Sequence, residues 1–323
     1  MKKILFALCA VATFASCTKN EVLNLNQEAI DFGTAFVDNG TRATDEFTIE
    51  THELFDFNVW ATTQRPEQGG VAQPITPILN EVVVCRPDLA SNWVYPTAYT
   101  QYWIPGNTYQ FAAAKNYDAV ALVNGVPATF DYDAAGQRDL LYAADTRVGQ
   151  EAGANAKVAF TFDHLLSKAY FTVDTNQMSG DNANYTYRVT NICINDAVKE
   201  AAYDVASETW NGVSTYDVDF EDVNTAAKLA ANGVYTSDYA RLLVPATYDD
   251  LNITCTIETL YGDAVIDVQN YNKSISQNFV KGFVYNFVLA LKDPGQPIEF
   301  TVTRVNEWIP TGDANNQTPI PGL

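Results

Sequence analysis

Along most of this chain apolar and polar residues alternate one by one, in short runs broken by Gly, Asn, Asp and Pro. Alternation at period two puts the apolar side chains on one face of a strand, so each run predicts a half-buried β-strand and each break a turn. The clearest runs carry Phe55, Phe57 and Val59; Val158, Phe160 and Phe162; Leu251, Ile253, Cys255 and Ile257; and Phe283, Tyr285, Phe287, Leu289 and Leu291. Helical spacing is scarce, with Asp222 to Ala231 the best candidate for a short helix. An all-β fold follows. A chain of 323 residues exceeds what one sandwich core usually organises, so two domains are expected.

The Gly- and Ala-rich stretch 149–156 lies between a strand-like Leu140–Ala143 and a fresh strand at Val158, and the domain boundary is placed there. Two tandem β-sandwiches are expected, at 43–155 and 156–323.

The first seventeen residues change the picture. Lys2 and Lys3 precede an apolar run from Ile4 to Phe14, then Ala15 and Ser16 stand directly before Cys17. This is the pattern of an export signal with a lipoprotein cleavage site, in which the Cys17 thiol is acylated (a palmitate-type modification) and becomes the new first residue. No later segment offers ~20 consecutive apolar residues, so the body of the chain is expected to meet a membrane only through that lipid.

Charge and chemistry narrow the function classes. With 19 Lys+Arg against 39 Asp+Glu the formal net charge is -20, which disfavours nucleic acid as a partner and suits a self-repelling protein at a cell surface. Of five cysteines, Cys9 lies in the signal and Cys17 is the lipid site. The remaining three, Cys85, Cys193 and Cys255, are an odd number and leave open whether one disulfide forms.

His52 and His164 are the two histidines, and neither H-E-x-x-H, G-x-S-x-G nor a phosphate loop occurs, so no catalytic residues and no cofactor are expected. His164 is expected to bond backbone at the domain junction. The run Asp131 to Asp139 begins like a calcium loop but lacks an acid at position 135 and a glutamate at 142, so a polar turn is preferred to a metal site. The rings of Trp93, Tyr95, Tyr99, Tyr102 and Trp103 suit core packing better than a glycan platform.

Several segments resemble the fimbrillin family, the type V pilins of Bacteroidales. VAFTFDHLLSKAYFTV (Val158 to Val173) resembles the family's strand, His, Leu-Ser-Lys, strand arrangement at the start of its second domain. DLLYA (Asp139 to Ala143) resembles the strand closing the first domain, and the aromatic stretch from Trp93 through Trp103 to Phe111 resembles the region before it. FVKGFVYNFVLALK (Phe279 to Lys292), with Val305 and Trp308 after it, resembles the closing strands. The likeness spans Cys17 to Trp308.

This resemblance implies a transthyretin-like or Greek-key sandwich pair and a function as a structural or adhesive fimbrial subunit. It implies a precursor that travels to the outer membrane as a lipoprotein, is cut after an arginine by a trypsin-like protease, and then joins an extracellular fimbria. Here the cut would fall between Arg42 and Ala43, in a polar, turn-prone setting. The segment 18–42 would be removed, and with it a strand carrying Ile30, Phe32 and Phe36.

A strand from a neighbouring pilin, in a homo- or heteropolymer, would fill the vacancy. The donor expected is 297–309, with Ile298, Phe300, Val302, Val305 and Trp308, although Pro310 and the prolines and glycines beyond it suit no continuing strand. A host protein or glycan receptor is a further partner under this reading. The alternative is a surface lipoprotein that keeps its lipid, binds glycan and never polymerises.

Overall fold

A computed structural model describes residues 28–37, 54–88, 90–178, 184–220, 229–230, 233–237, 240–293 and 298–307. Among them the architecture is β-strand throughout, apart from two short 3-10 turns. The first eight strands are β1 (Phe32–Val37), β2 (Asp56–Gln64), β3 (Ile75–Cys85), β4 (Thr108–Lys115), β5 (Ala119–Val123), β6 (Val126–Asp133), β7 (Leu141–Val148) and β8 (Val158–His164). Then come β9 (Ser167–Gln177), β10 (Tyr185–Val198), β11 (Glu200–Asp204), β12 (Thr209–Gly212), β13 (Thr215–Asp219), β14 (Val234–Thr236) and β15 (Arg241–Leu243). The chain closes with β16 (Thr247–Tyr261), β17 (Ala264–Asn278), β18 (Phe283–Lys292) and β19 (Glu299–Glu307).

The strands form four sheets. The first has the order β1-β8-β7-β4-β2-β3, a second β12-β11-β6-β5, a third β13-β10-β16-β17, and a fourth β14-β9-β18-β19 with β15 also on β9. The alternation predicted from sequence decides which side chains enter which core. On β2, Phe57, Val59 and Ala61 face one core while Trp60 faces another, and on β4 Tyr109, Phe111 and Ala113 share the first core while Ala114 joins Trp60. These central strands are therefore buried on both faces.

Three apolar clusters result. The first packs on one face of the six-stranded sheet, with Trp93, Trp103 and the partly buried Tyr95 joining it from the connection between β3 and β4. The last fills the space between the third and fourth sheets, with Val189, Ile253, Cys255, Ile257, Phe287 and Leu289. A middle cluster joins Trp60, Phe130, Tyr132, Leu165, Tyr203 and Leu242.

That middle cluster exists because β11 pairs with β6, so residues from both halves of the chain share one sheet. Strand β8, which lies beyond the boundary drawn in the sequence, pairs in the first sheet with β7 and β1. Gln137 fastens the halves further: its side chain accepts from Leu242 N at 2.8 Å and donates to Leu242 O at 3.0 Å.

Local chemistry explains the turns. Asn124 and Gly125 join β5 to β6 with φ of 52° and 85°, the pair of positive angles that a two-residue hairpin needs and Asn-Gly accepts most readily. In the loop that begins like a calcium site, Asp133 instead accepts from Ala135 N at 2.9 Å and caps a 3-10 turn. The helix expected over Asp222 to Ala231 falls mostly outside the described residues; within it, Leu229 makes an antiparallel bridge to Tyr187.

His164, buried at the end of β8, sits with Nδ1 2.7 Å from Asp139 Oδ2. This side-chain partner was not named in the sequence reading. The three cysteines are free: Cys85 is exposed, whereas Cys193 and Cys255 are buried.

Candidate assembly site

The feature of interest is the seat of the first strand. Residues 28–31 enter it between two walls. On one side Ile30 N donates to Gln101 O at 2.8 Å and Trp103 N to Glu28 O at 3.0 Å, with Ala29 and Tyr102 bridged antiparallel. On the other, Val158 N donates to Asp31 O at 2.8 Å and β1 continues parallel to β8, with Phe32 opposite Val158 and Ala35 opposite Phe160. One residue is in excess in β1 between Phe32 and Ala35, a bulge.

The side chains explain why the strand stays. Ile30 and Phe32 are 0% and 2% exposed. Phe32 meets Phe160 at 6.0 Å between ring centres, Tyr95 edge-on at 5.5 Å and Phe111 edge-on at 6.5 Å, while Tyr95 also donates its hydroxyl to Ile30 O at 2.7 Å. Without this segment, the core would lose two of its residues and β8 would show unpaired backbone groups to water.

A polar clasp closes the entrance. Glu28 Oε2 accepts from Gly153 N at 2.9 Å, Asn155 N at 3.3 Å and Asn155 Nδ2 at 2.9 Å. These bonds, that from the Asn155 side chain first and that from the Gly153 amide next, hold the Glu28 carboxyl below the usual glutamate range. An open cavity of about 480 Å³ flanks the clasp, lined by Trp103, Asp145, Arg147, Gln150 and Asn155 among others.

The other end of the chain also forms an edge. Strand β19 pairs antiparallel with β18, placing Phe300 opposite Leu289 and Val302 opposite Phe287. The Phe300 ring lies 6.3 Å from Phe171 and 6.2 Å from Phe287. Ile298, Phe300 and Val302 are only partly buried against the last core, and Lys292 forms an ion pair with Glu299.

Of the residues singled out in sequence, Ile30 and Phe32 thus lie together in one seat, and Ile298, Phe300 and Val302 lie in another on a different sheet. The Phe36 backbone lies opposite Thr161, and Val305 belongs to β19, but the side chains of both fall outside the description. Cys17, Arg42, Ala43 and Trp308 lie outside the described residues altogether. Trp93 and Trp103 are core residues, while Tyr99 and Tyr102 are exposed. Sequence reading missed the Glu28 clasp, whose donors come from a stretch that had been read as a linker.

A family model described as fimbrillin-like matches residues 41–308. Among curated proteins none matches. Among solved structures, a fimbrial protein of Bacteroides vulgatus is 14% identical and superposes with a TM-score of 0.58, covering 88% of this chain and 100% of its own. Candidate cell adhesion proteins of Bacteroides ovatus and Bacteroides uniformis, 13% and 15% identical, superpose with TM-scores of 0.51 and 0.50, each covering 88% of this chain and 98% of its own. At such identities these likenesses concern the fold.

Proposed function

The chain belongs to the fimbrillin-like family, and from that premise we propose that it is a surface fimbria subunit that joins its neighbours by exchanging edge strands. The observation that carries this reading is the seat of β1. Strand β1 brings Phe32 into a core as an edge strand of its sheet, and the residues just before it bring Ile30 into a slot between the start of β8 and the 101–103 stretch, so the segment can leave without unthreading the fold. It leaves behind a groove that only another strand fills well.

In this proposal the chain is exported as a lipoprotein acylated at Cys17, and a trypsin-like protease cuts between Arg42 and Ala43. Segment 18–42 departs with its strand, and 297–309 of a neighbouring subunit enters the groove. Because β19 rests on its own β18, donation begins with release of that strand. Its apolar residues are only partly buried where they rest, which lowers the cost of leaving.

Limited trypsin digestion of the signal-free protein, followed by intact-mass analysis and electron microscopy, tests the sequence of events. The expected result is a single early cut after Arg42 and then filament growth. A chain that resists at Arg42, or that is cut there and remains monomeric, would refute assembly by this route.

A further inference from the structure

Each of the four sheets has two edges, and most of these are blunted. Strands β5, β12, β13 and β14 are only three to five residues long, β3 carries Pro77 and two register shifts, and β1 and β19 belong to the assembly site described above. Strand β17 is different. It is 15 residues long, contains no proline, and pairs with β16 in unbroken register from Asp267 opposite Thr259 to Ile275 opposite Leu251. Among the described residues no strand pairs on its other side, and residues 264–270 are exposed throughout.

We propose that this edge pairs with β17 of a second copy of the chain, antiparallel about a two-fold axis at Asn270, so that the third sheets of the two copies become one sheet of eight strands. Identical edges that meet in this way point the same alternate N–H and C=O groups at each other, so a ladder forms only where odd residues meet odd ones and even residues meet even ones. With Asn270 on the axis, Asp267 of each copy meets Lys273 of the other, and Gln269 meets Tyr271. These four lie on the strand face that Gln269, Tyr271 and Lys273 share with Ile257, Cys255 and Ile253 of β16.

The charges select that register. Sliding one copy by two residues sets Asp267 opposite Tyr271 or Ile275, and sliding it by six sets Asp267 against Asp267 or Lys273 against Lys273. In the single chain Asp267 Oδ2 accepts from Gln269 Nε2 at 2.8 Å, which leaves Oδ1 for the ammonium group of the second copy. On the other face Val268 meets Asn272 and Asn270 meets itself. Thr256 Oγ1 donates to Asn270 Oδ1 at 3.2 Å, so the Asn270 NH2 group is turned to donate across the axis. Ile275 of each copy comes beside Val265 and Ile266 of the other, two apolar side chains that are 45% and 54% exposed in the single chain.

Charges on an edge strand ordinarily keep other strands away. Here they reject every strand except one that offers Lys and Asp six residues apart in the reverse direction, so the same two residues exclude strangers and choose the partner. The contact is isologous: it closes at two copies and uses neither β1 nor β19. It needs no cleavage and no strand exchange, and so stands or falls apart from the function proposed above. In a fimbria built of such subunits, repetition of this contact would hold filaments side by side.

The test uses the uncut chain from residue 18, with the exposed Cys85 replaced by Ser, followed by sedimentation equilibrium up to about 1 mM protein. A monomer–dimer equilibrium is expected. Lys273→Asp and Asp267→Lys each set like charges opposite one another twice, and each should weaken the dimer about tenfold. Mixed in equal amounts, the two variants regain opposite charges at both places and should form a heterodimer as tight as the parent dimer. The chain carrying both changes should again associate with itself.

Disulfide trapping reads the register. Residues directly opposite in an antiparallel pair have Cα atoms about 5 Å apart, within disulfide reach. Asn270→Cys should therefore cross-link to itself, whereas Asn272→Cys should not, and should cross-link instead when mixed with Val268→Cys. All these positions are exposed, and unchanged unfolding midpoints show that the variants fold. A chain that stays monomeric throughout would overturn the proposal, as would dimers indifferent to both charge reversals or equal self-cross-linking at 270 and 272.

Discussion

Replacing Phe32 with Ala measures how firmly the first strand is held. The ring is 2% exposed and touches Tyr95, Phe111 and Phe160, all anchored in the six-stranded sheet or its cover. Truncating a buried Phe to Ala costs about 3–5 kcal/mol, and the low end applies here because an edge strand relaxes more readily than one at the centre of a sheet. About 3 kcal/mol corresponds to roughly a hundredfold increase in the population with β1 detached.

Hydrogen exchange reads that population directly. The amides of Ile30, Trp103 and Val158 are bonded only while the strand is seated, to Gln101 O, Glu28 O and Asp31 O respectively. Their exchange should accelerate about a hundredfold in Phe32→Ala, whereas amides of the β10–β16 pair, such as Val189 opposite Ile257, should keep their protection. Unchanged exchange at the first three would mean that the side chain does not hold the strand. Equal acceleration across the whole molecule would mean that the strand is inseparable from global folding, and the idea of a removable element would fail.

Three further outcomes follow from the same structure. Burial pushes the Cys193 and Cys255 thiols up to about 12, so at pH 8 a thiol reagent should label Cys85 rapidly and leave those two unmodified until the chain unfolds; fast labelling of all three would contradict the packing of the last core. His164→Ala strands the buried Asp139 carboxyl and should cost about 3 kcal/mol in urea unfolding, with an exposed control such as Tyr99→Ala near zero; a loss below about 1 kcal/mol would show that the pair does not hold the junction. The Glu28 carboxyl, lowered by its clasp, supports the strand above the ordinary glutamate range and loses that contribution as pH falls through its lowered value. Exchange at the Gly153 and Asn155 amides should therefore rise in acid more steeply than in Glu28→Gln, and parallel profiles would remove the clasp from the argument.

The faces of the strands were legible in the sequence because period-two alternation reports burial directly. Val158, Phe160 and Phe162 all enter the first core, and Leu251, Ile253, Cys255 and Ile257 the last. Partners were not legible, because alternation says which side of a strand is apolar and nothing about its neighbour in the sheet. Hence β8 was read as opening a second domain when it pairs with β7 and β1, and the pairing of β11 with β6 left no local mark at all. The clasp escaped for a different reason: Gly153 and Asn155 act through backbone amides and one carboxamide, in a stretch whose composition suggests only a linker.

The two edge strands pose a single energetic question. Ile298 and Phe300 are partly buried against the last core, while the matching Ile30 and Phe32 are completely or almost completely buried in the first. Burying such side chains in full is worth about 1.5–3 kcal/mol each relative to exposure, so moving from a half-covered seat to a covered one favours exchange by roughly half that amount per residue. Ladder hydrogen bonds nearly cancel, since β19 gives up its bonds to β18 and would form others on β8. The balance is thus set by side-chain burial and by the clasp. Under the proposed route the chain's own first strand keeps the uncut subunit closed, because its release would cost the full burial of Ile30 and Phe32; the smaller gain of Ile298 and Phe300 would favour entry of the next subunit's strand only into a groove from which the severed strand had already been lost by dilution.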